Sequence, residues 1–213
     1  MKIERVELHR LSLQYVHPFE TSFGRETVRE FILVAVSGDG VTGWGECVAG
    51  YGPWYSYETV GTAWHVMDKF LIPMLLGEQV ENPADAVARF GRVRGHAMAR
   101  ACLENAVWDL LARVEGISLA TMLGGERDRV PVGVSVGIEG TLDKLLERVA
   151  VHVDEGYARV KLKIKPGWDV EVVRAVRERW PDLALQVDAN SAYRLADVAV
   201  FRELDQFDLV LIE

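Results

Sequence analysis

Lys163, Asp188 and Glu213 fall at an even interval of about 25 residues, roughly one strand–helix unit of a (β/α) barrel. Each closes a short apolar run that reads as a strand: residues 158–163, 183–188 and 209–213. In such a barrel the chemistry gathers at the C-terminal ends of the strands. A lysine and two carboxylates there combine a proton-transfer group with half of an oxygen cage for a hard divalent cation such as Mg²⁺ or Mn²⁺.

Lys161 and Lys163 lie two residues apart, so on a strand they share one face. Two ammonium groups held together are expected to depress each other's pKa, which suits a lysine to act as a base near neutral pH. Asp188 begins the run Asp188-Ala189-Asn190; it reads either as a site carboxylate or as the cap of the helix that follows, and Asn190 either as a turn residue alone or as one that also reaches the site. Ser135, inside the first strand of the series, has the parity to face the same way. Two segments near the N-terminus are rich in rings: residues 17–24, a Gly/Pro-bounded loop with Phe19 and Phe23, and residues 50–57, with Tyr51, Trp54 and Tyr55. Rings on such loops suit either an apolar cover over a ligand or a satellite core beneath the loop.

The elements that must position these groups fall into two parts. Residues 1–126 read as an α+β domain. A long strand runs over residues 3–15 and a second over residues 31–36. Asp39-Gly40 then turns into residues 41–47. Val60, Trp64, Met67 and Leu71 keep helical spacing, as do Leu103, Val107, Leu111 and Val114, with Cys102, Ala106 and Leu110 widening that stripe. Gly116 and Gly124-Gly125 mark helix ends. Residues 127–213 alternate short apolar strands with amphipathic helices, which predicts a parallel sheet with right-handed crossovers. The helical stripes are Leu142, Leu145, Leu146, Val149 and Val153, then Val172, Val173 and Val176, then Leu195, Val198 and Phe201. Four strands are half of the roughly eight that close a barrel.

The net charge of −8 argues against nucleic acid as a main partner. Cys47 and Cys102 match no metal or redox spacing and fit a reducing, cytoplasmic setting. No apolar run reaches membrane-spanning length, so no membrane partner is expected.

Together these residues resemble the enolase superfamily, in the subgroup typified by muconate-lactonizing enzyme. The stretches 160–169 (VKLKIKPGWD), 187–193 (VDANSAY) and 19–24 (FETSFG), with 98–100 (MAR) and 106–109 (AVWD), are similar to o-succinylbenzoate synthases and N-acylamino acid racemases. The resemblance implies an α+β capping domain and a modified (β/α)₇β barrel, of which this chain holds the first half. It implies that Lys163 is the base and Lys161 its companion. Asp188 and Glu213 would be metal ligands for Mg²⁺, with Mn²⁺ or Co²⁺ as substitutes. Ser135, Asn190, Phe19, Phe23, Tyr51, Trp54 and Tyr55 would line the substrate pocket.

The implied chemistry is abstraction of the proton α to a carboxylate with stabilisation of the resulting enediolate. It would yield o-succinylbenzoate by dehydration, on the route to menaquinone, or racemise N-acylamino acids. Dipeptide epimerisation and cycloisomerisation are the alternatives within the superfamily. A non-catalytic half-barrel that pairs its open edge with another chain is the alternative outside it. The third metal carboxylate and a second lysine are expected beyond residue 213. The intact protein is expected to be a homo-oligomer acting on a small carboxylic acid, and the 213 residues alone are expected to be inactive.

Overall fold

The computed structural model describes residues 1–213. The chain forms two compact units, one of residues 1–14 and 28–127, the other of residues 15–27 and 128–213.

The first unit is a three-stranded sheet, in the order β1 (Arg5–Thr21), β2 (Gly24–Gly38), β3 (Val41–Cys47), with helices packed on it. Strands β2 and β3 pair antiparallel from Ile32↔Cys47 to Gly38↔Val41. Asp39 and Gly40, which join them, both have positive φ, the backbone that a two-residue hairpin turn requires. The main helix, α3 (Ala97–Glu115), buries Ala99, Cys102, Leu103, Ala106, Val107, Leu110 and Leu111. Val114, expected on the same stripe, is exposed. Helix α3 lies so close to β3 that a Cβ at Gly43 would strike the backbone of Ala106 and Leu110, and one at Gly45 the carbonyl of Cys102. Glycine there is a packing requirement. The N-terminus of α3 is held by Glu58, whose carboxylate accepts from the amides of Met98 (2.9 Å) and Ala99 (3.1 Å) and is itself buried. Thr59 then caps α1 (Val60–Val66) through Thr62. Beyond it the chain loosens into a π turn (Met67–Leu71) and a 3₁₀ turn containing Pro73, which has no N–H to continue the α ladder. Two short helices, α2 (Pro83–Phe90) and α4 (Leu119–Met122), complete the unit, the latter stopped at Gly124.

The second unit alternates β4 (Gly133–Val136), α5 (Leu142–Asp154), β5 (Arg159–Lys163), α6 (Val170–Arg179), β6 (Ala184–Asp188), α7 (Val198–Leu204) and β7 (Leu211–Ile212). The four strands lie in the order β4-β5-β6-β7, all parallel, as in the opening half of a (β/α) barrel. One sheet face carries Val160, Leu162, Leu185 and Val187. These pack with Leu145 and Val149 of α5, Val172, Val173 and Val176 of α6, and Leu204 of α7. The stripe expected to begin at Leu195 and Val198 is displaced, because both are exposed. Residues 195–197 form a 3₁₀ turn, and α7 faces the core through Val200, Phe201 and Leu204 instead.

The segment 17–24, expected as a loop, is a strand through Thr21 with a two-residue turn at Ser22-Phe23. Pro18 sits within the strand, which the exposed two-stranded tip tolerates. This tip, residues 15–27, belongs to the second unit.

Candidate active site at the strand ends

Strand alternation places Lys161 and Lys163 on the β5 face opposite Val160, Leu162 and Ile164, and Gln186 and Asp188 on the β6 face opposite Leu185 and Val187. The parallel register sets Ser135 beside Lys161, Lys161 beside Gln186, and Lys163 beside Asp188. The helix-facing side of the sheet is therefore apolar, and the other side is ionised.

Lys163 is only 8 % exposed and Asp188 2 %. The Lys163 ammonium donates to Asp188 Oδ2 at 2.5 Å and to Asn190 Oδ1 at 2.9 Å. The other Asp188 oxygen, Oδ1, accepts from the Asn190 backbone N–H at 2.9 Å. Asp188 thus closes a local turn as well as an ion pair, and does not cap a helix. Asn190 and Ser191 follow with φ of +45° and +62°, two successive non-glycine residues in the left-handed region. Such backbone is uncommon and persists only where its surroundings fix it.

Lys161 lies between the two carboxylates. Its Nζ is 2.9 Å from Glu213 Oε2 and 3.3 Å from Asp188 Oδ2. Burial works to lower its pKa, but the hydrogen bonds and charges of Glu213 and Asp188 outweigh it, and the net direction is up. This reverses the expectation for Lys161, because the nearest charges are carboxylates rather than the second ammonium. For Asp188, burial acts to raise the pKa. The hydrogen bonds from Lys163, the Asn190 amide and Lys161 prevail and hold it below the usual carboxylate range. Glu213 also accepts from Gln186 Nε2 at 3.2 Å, and its backbone N–H bonds Val187 O at 2.9 Å.

Asp188 and Glu213 thus converge on one cationic atom. An all-oxygen pair that shares a point charge in this way fits a hard divalent cation, and supplies two of the roughly six ligands it takes. No third histidine, cysteine, aspartate or glutamate joins them.

The hairpin tip brings further residues to the same place. The ring of Phe19 lies 5.9 Å from Lys163 Nζ. Phe23 sits at the turn, 44 % exposed. Ser135 is on the ionised face, exposed beside Lys161. Tyr51, Trp54 and Tyr55 belong to the first unit, where they are exposed in the segment between β3 and α1.

Residues 5–124 match the mandelate racemase / muconate lactonizing enzyme N-terminal domain, and residues 144–213 the enolase C-terminal-domain-like family. The chain belongs to the enolase superfamily. It is 50 % identical to an o-succinylbenzoate synthase of Geobacillus kaustophilus over 214 residues, covering all of this chain and 57 % of the relative. It is 49 % identical to an N-succinylamino acid racemase of Amycolatopsis sp, covering all of this chain and 58 % of that protein. A solved member of the superfamily from Listeria innocua superposes with a TM-score of 0.93 at 38 % identity, over all of this chain and 57 % of that one. The chain spans a little over half the length of the curated relatives it matches.

Three polar residues of this region escaped the sequence reading. Gln186 is buried at 4 % exposure and holds Glu213. Its signal was parity, two positions before Asp188 on the same strand. Glu20 and Lys165 form an ion pair at 3.0 Å between the hairpin tip and the end of β5. Lys165 shares its parity with Lys161 and Lys163, but nothing in the sequence pointed to Glu20 as its partner.

Proposed function

We propose that a protein carrying this chain removes the proton α to a carboxylate with Lys163, and so forms o-succinylbenzoate by dehydration, racemises N-succinylamino acids, or does both. The observation that carries this reading is the buried Lys163 ammonium, fixed by Asp188 and Asn190 on the one face of the sheet that no helix covers. A lysine has no structural need to be there. Burial without function would favour an apolar side chain at that position.

In this reading Lys163, as the neutral amine, takes the α-proton on Nζ, and Asp188 and Asn190 hold the ammonium that results. Lys161, whose Nζ lies 2.9 Å from Glu213 and 3.3 Å from Asp188, would set a positive charge beside the place where negative charge develops. A divalent cation held by Asp188 and Glu213, Mg²⁺ first and Mn²⁺ or Co²⁺ after it, would neutralise the charge that grows on the substrate carboxylate as the α-proton leaves. Phe19 offers an apolar surface next to Lys163 for the aryl or acyl group of the substrate. Ser135 and Phe23 flank the same face. The pairing of products follows from the chemistry. Both reactions begin with loss of the same proton, and differ in whether a hydroxyl leaves or a proton returns to the other face.

The full-length protein should be assayed for o-succinylbenzoate formation from its hydrated precursor and for racemisation of N-succinylamino acids, before and after chelation. At least one activity is expected, lost with chelator and restored by Mg²⁺. Absence of both in folded, Mg²⁺-supplied protein would reject the proposal in favour of a binding module.

A further inference from the structure

The third lysine of the series, Lys165, has the same parity as Lys161 and Lys163 but is not among the groups that meet Asp188 or Glu213. We propose that Lys165 and Glu20 form a latch that holds the hairpin tip, residues 15–27, over the end of β5 and so seats Phe19 beside Lys163. The catalytic consequence rests on the function proposed above, whereas the latch itself does not.

The local sequence builds one half of the latch. Lys165-Pro166-Gly167-Trp168 closes on itself, with Lys165 N–H bonding Trp168 O at 3.1 Å and Trp168 N–H bonding Lys165 O at 2.8 Å. Proline at the second position and glycine at the third, with φ of +80°, are the residues of a type II turn. Only glycine takes that backbone freely, so this turn fixes the direction in which Lys165 leaves the strand end. The hairpin supplies the other half. Glu20 Oε1 meets Lys165 Nζ at 3.0 Å, and the Glu20 backbone carbonyl accepts from Ile138 N–H at 2.9 Å. Gly137 lets the two backbones approach, since a Cβ there would stand 3.1 Å from Glu20 N and 3.2 Å from Glu20 O. Two residues further on, Ser22 Oγ donates to Asn190 O at 3.4 Å. The tip is therefore tied in turn to the segments that follow β4, β5 and β6. Phe19, the neighbour of Glu20, is carried to Lys163 by the same ties.

These ties are polar and partly solvated: the side chains of Glu20 and Lys165 are 28 % and 39 % exposed. Ion pairs of that exposure hold modestly and weaken with salt. The three lysines then have three tasks: Lys161 supplies fixed charge, Lys163 moves the proton, and Lys165 positions the cover.

Hydrogen exchange on the full-length protein tests the latch through the Ile138 amide and the amides of residues 15–27. Glu20→Lys should speed their exchange about fivefold or more. Lys165→Met, which keeps the stem and removes the charge, should speed it about threefold. The double reversal Glu20→Lys/Lys165→Glu should return it to within about twofold of wild type. In turnover, Lys165→Met should raise KM more than it lowers kcat. Unchanged protection in the single variants, or a double reversal no better protected than they are, overturns the latch. A kcat loss in Lys165→Met as steep as that of Lys163→Ala would place Lys165 in the chemistry and also overturn it. A wild type with no turnover counts against the proposed function and leaves hydrogen exchange to decide the latch alone.

Discussion

In the first unit the tightest packing lies between α3 and β3, where two glycines allow a helix to rest on a strand almost backbone to backbone. In the second unit the helix-facing side of the sheet is just as apolar, but its other face holds an ionised cluster with Lys163 and Asp188 almost wholly buried. The buried carboxylate of the first unit, Glu58, is satisfied by two amides at a helix N-terminus and is fully explained by that structural task. Asp188 is different. It meets two ammonium groups and a backbone amide, more positive partners than a structural carboxylate needs. The contrast separates a charge that completes a fold from a cluster to which the proposed function assigns the chemistry.

The contrast can be broken from either side. The largest effect on chemistry is expected at Lys163. Replacing it with alanine should lower proton abstraction by a factor of about 10² to 10⁴, the usual range for a positioned acid–base group, while folding is retained. Lys161→Ala should cost less, about 10- to 100-fold in kcat, since it removes a neighbouring fixed charge rather than the group that carries the proton. In the first unit the largest effect is on stability. Gly45→Ala sets a methyl against the Cys102 carbonyl and should destabilise by about 3 kcal/mol or more, read as a shift of the denaturant midpoint. Glu58→Ala should cost about 2 kcal/mol through the lost helix cap, without altering the pH dependence of turnover.

The smallest effect concerns acid stability. The pKa of Asp188 is lowered in the folded state, so the stabilisation it provides is complete above the ordinary value of 3.8 and is lost as pH falls below that toward the folded value. Asp188→Asn should therefore flatten the acid limb of denaturant midpoint against pH. An unchanged limb would mean that the ion pairs of Asp188 contribute nothing to folding.

Much of this was legible because period-two alternation and matched spacing are strong signals. The ends of β5 and β6, the turn at Asp39-Gly40 and the core stripes of α3, α5 and α6 all follow from residue pattern. Other features depend on partners distant in sequence. The hairpin runs through Pro18 because β1 is the edge strand of its sheet, where a missing N–H costs little, whereas local propensity reads that proline as a break. Glu20 meets Lys165 across 145 residues, which no window along the chain reveals. The stripe of α7 was misplaced because a 3₁₀ turn before it shifts the helical phase. The pKa of Lys161 rises rather than falls because Glu213 and Asp188 both reach its ammonium, a geometry that even spacing suggests but does not specify.

The central claim is that Lys163 moves the α-proton of a carboxylate substrate. Deuterium wash-in at the α-carbon of an N-succinylamino acid, followed in heavy water with full-length wild type and Lys163→Ala in the presence of Mg²⁺, tests it most directly. The account predicts steady incorporation by wild type, and loss of the exchange that passes through the Lys163 face in the variant. Exchange at the wild-type rate and stereochemistry in Lys163→Ala would contradict it.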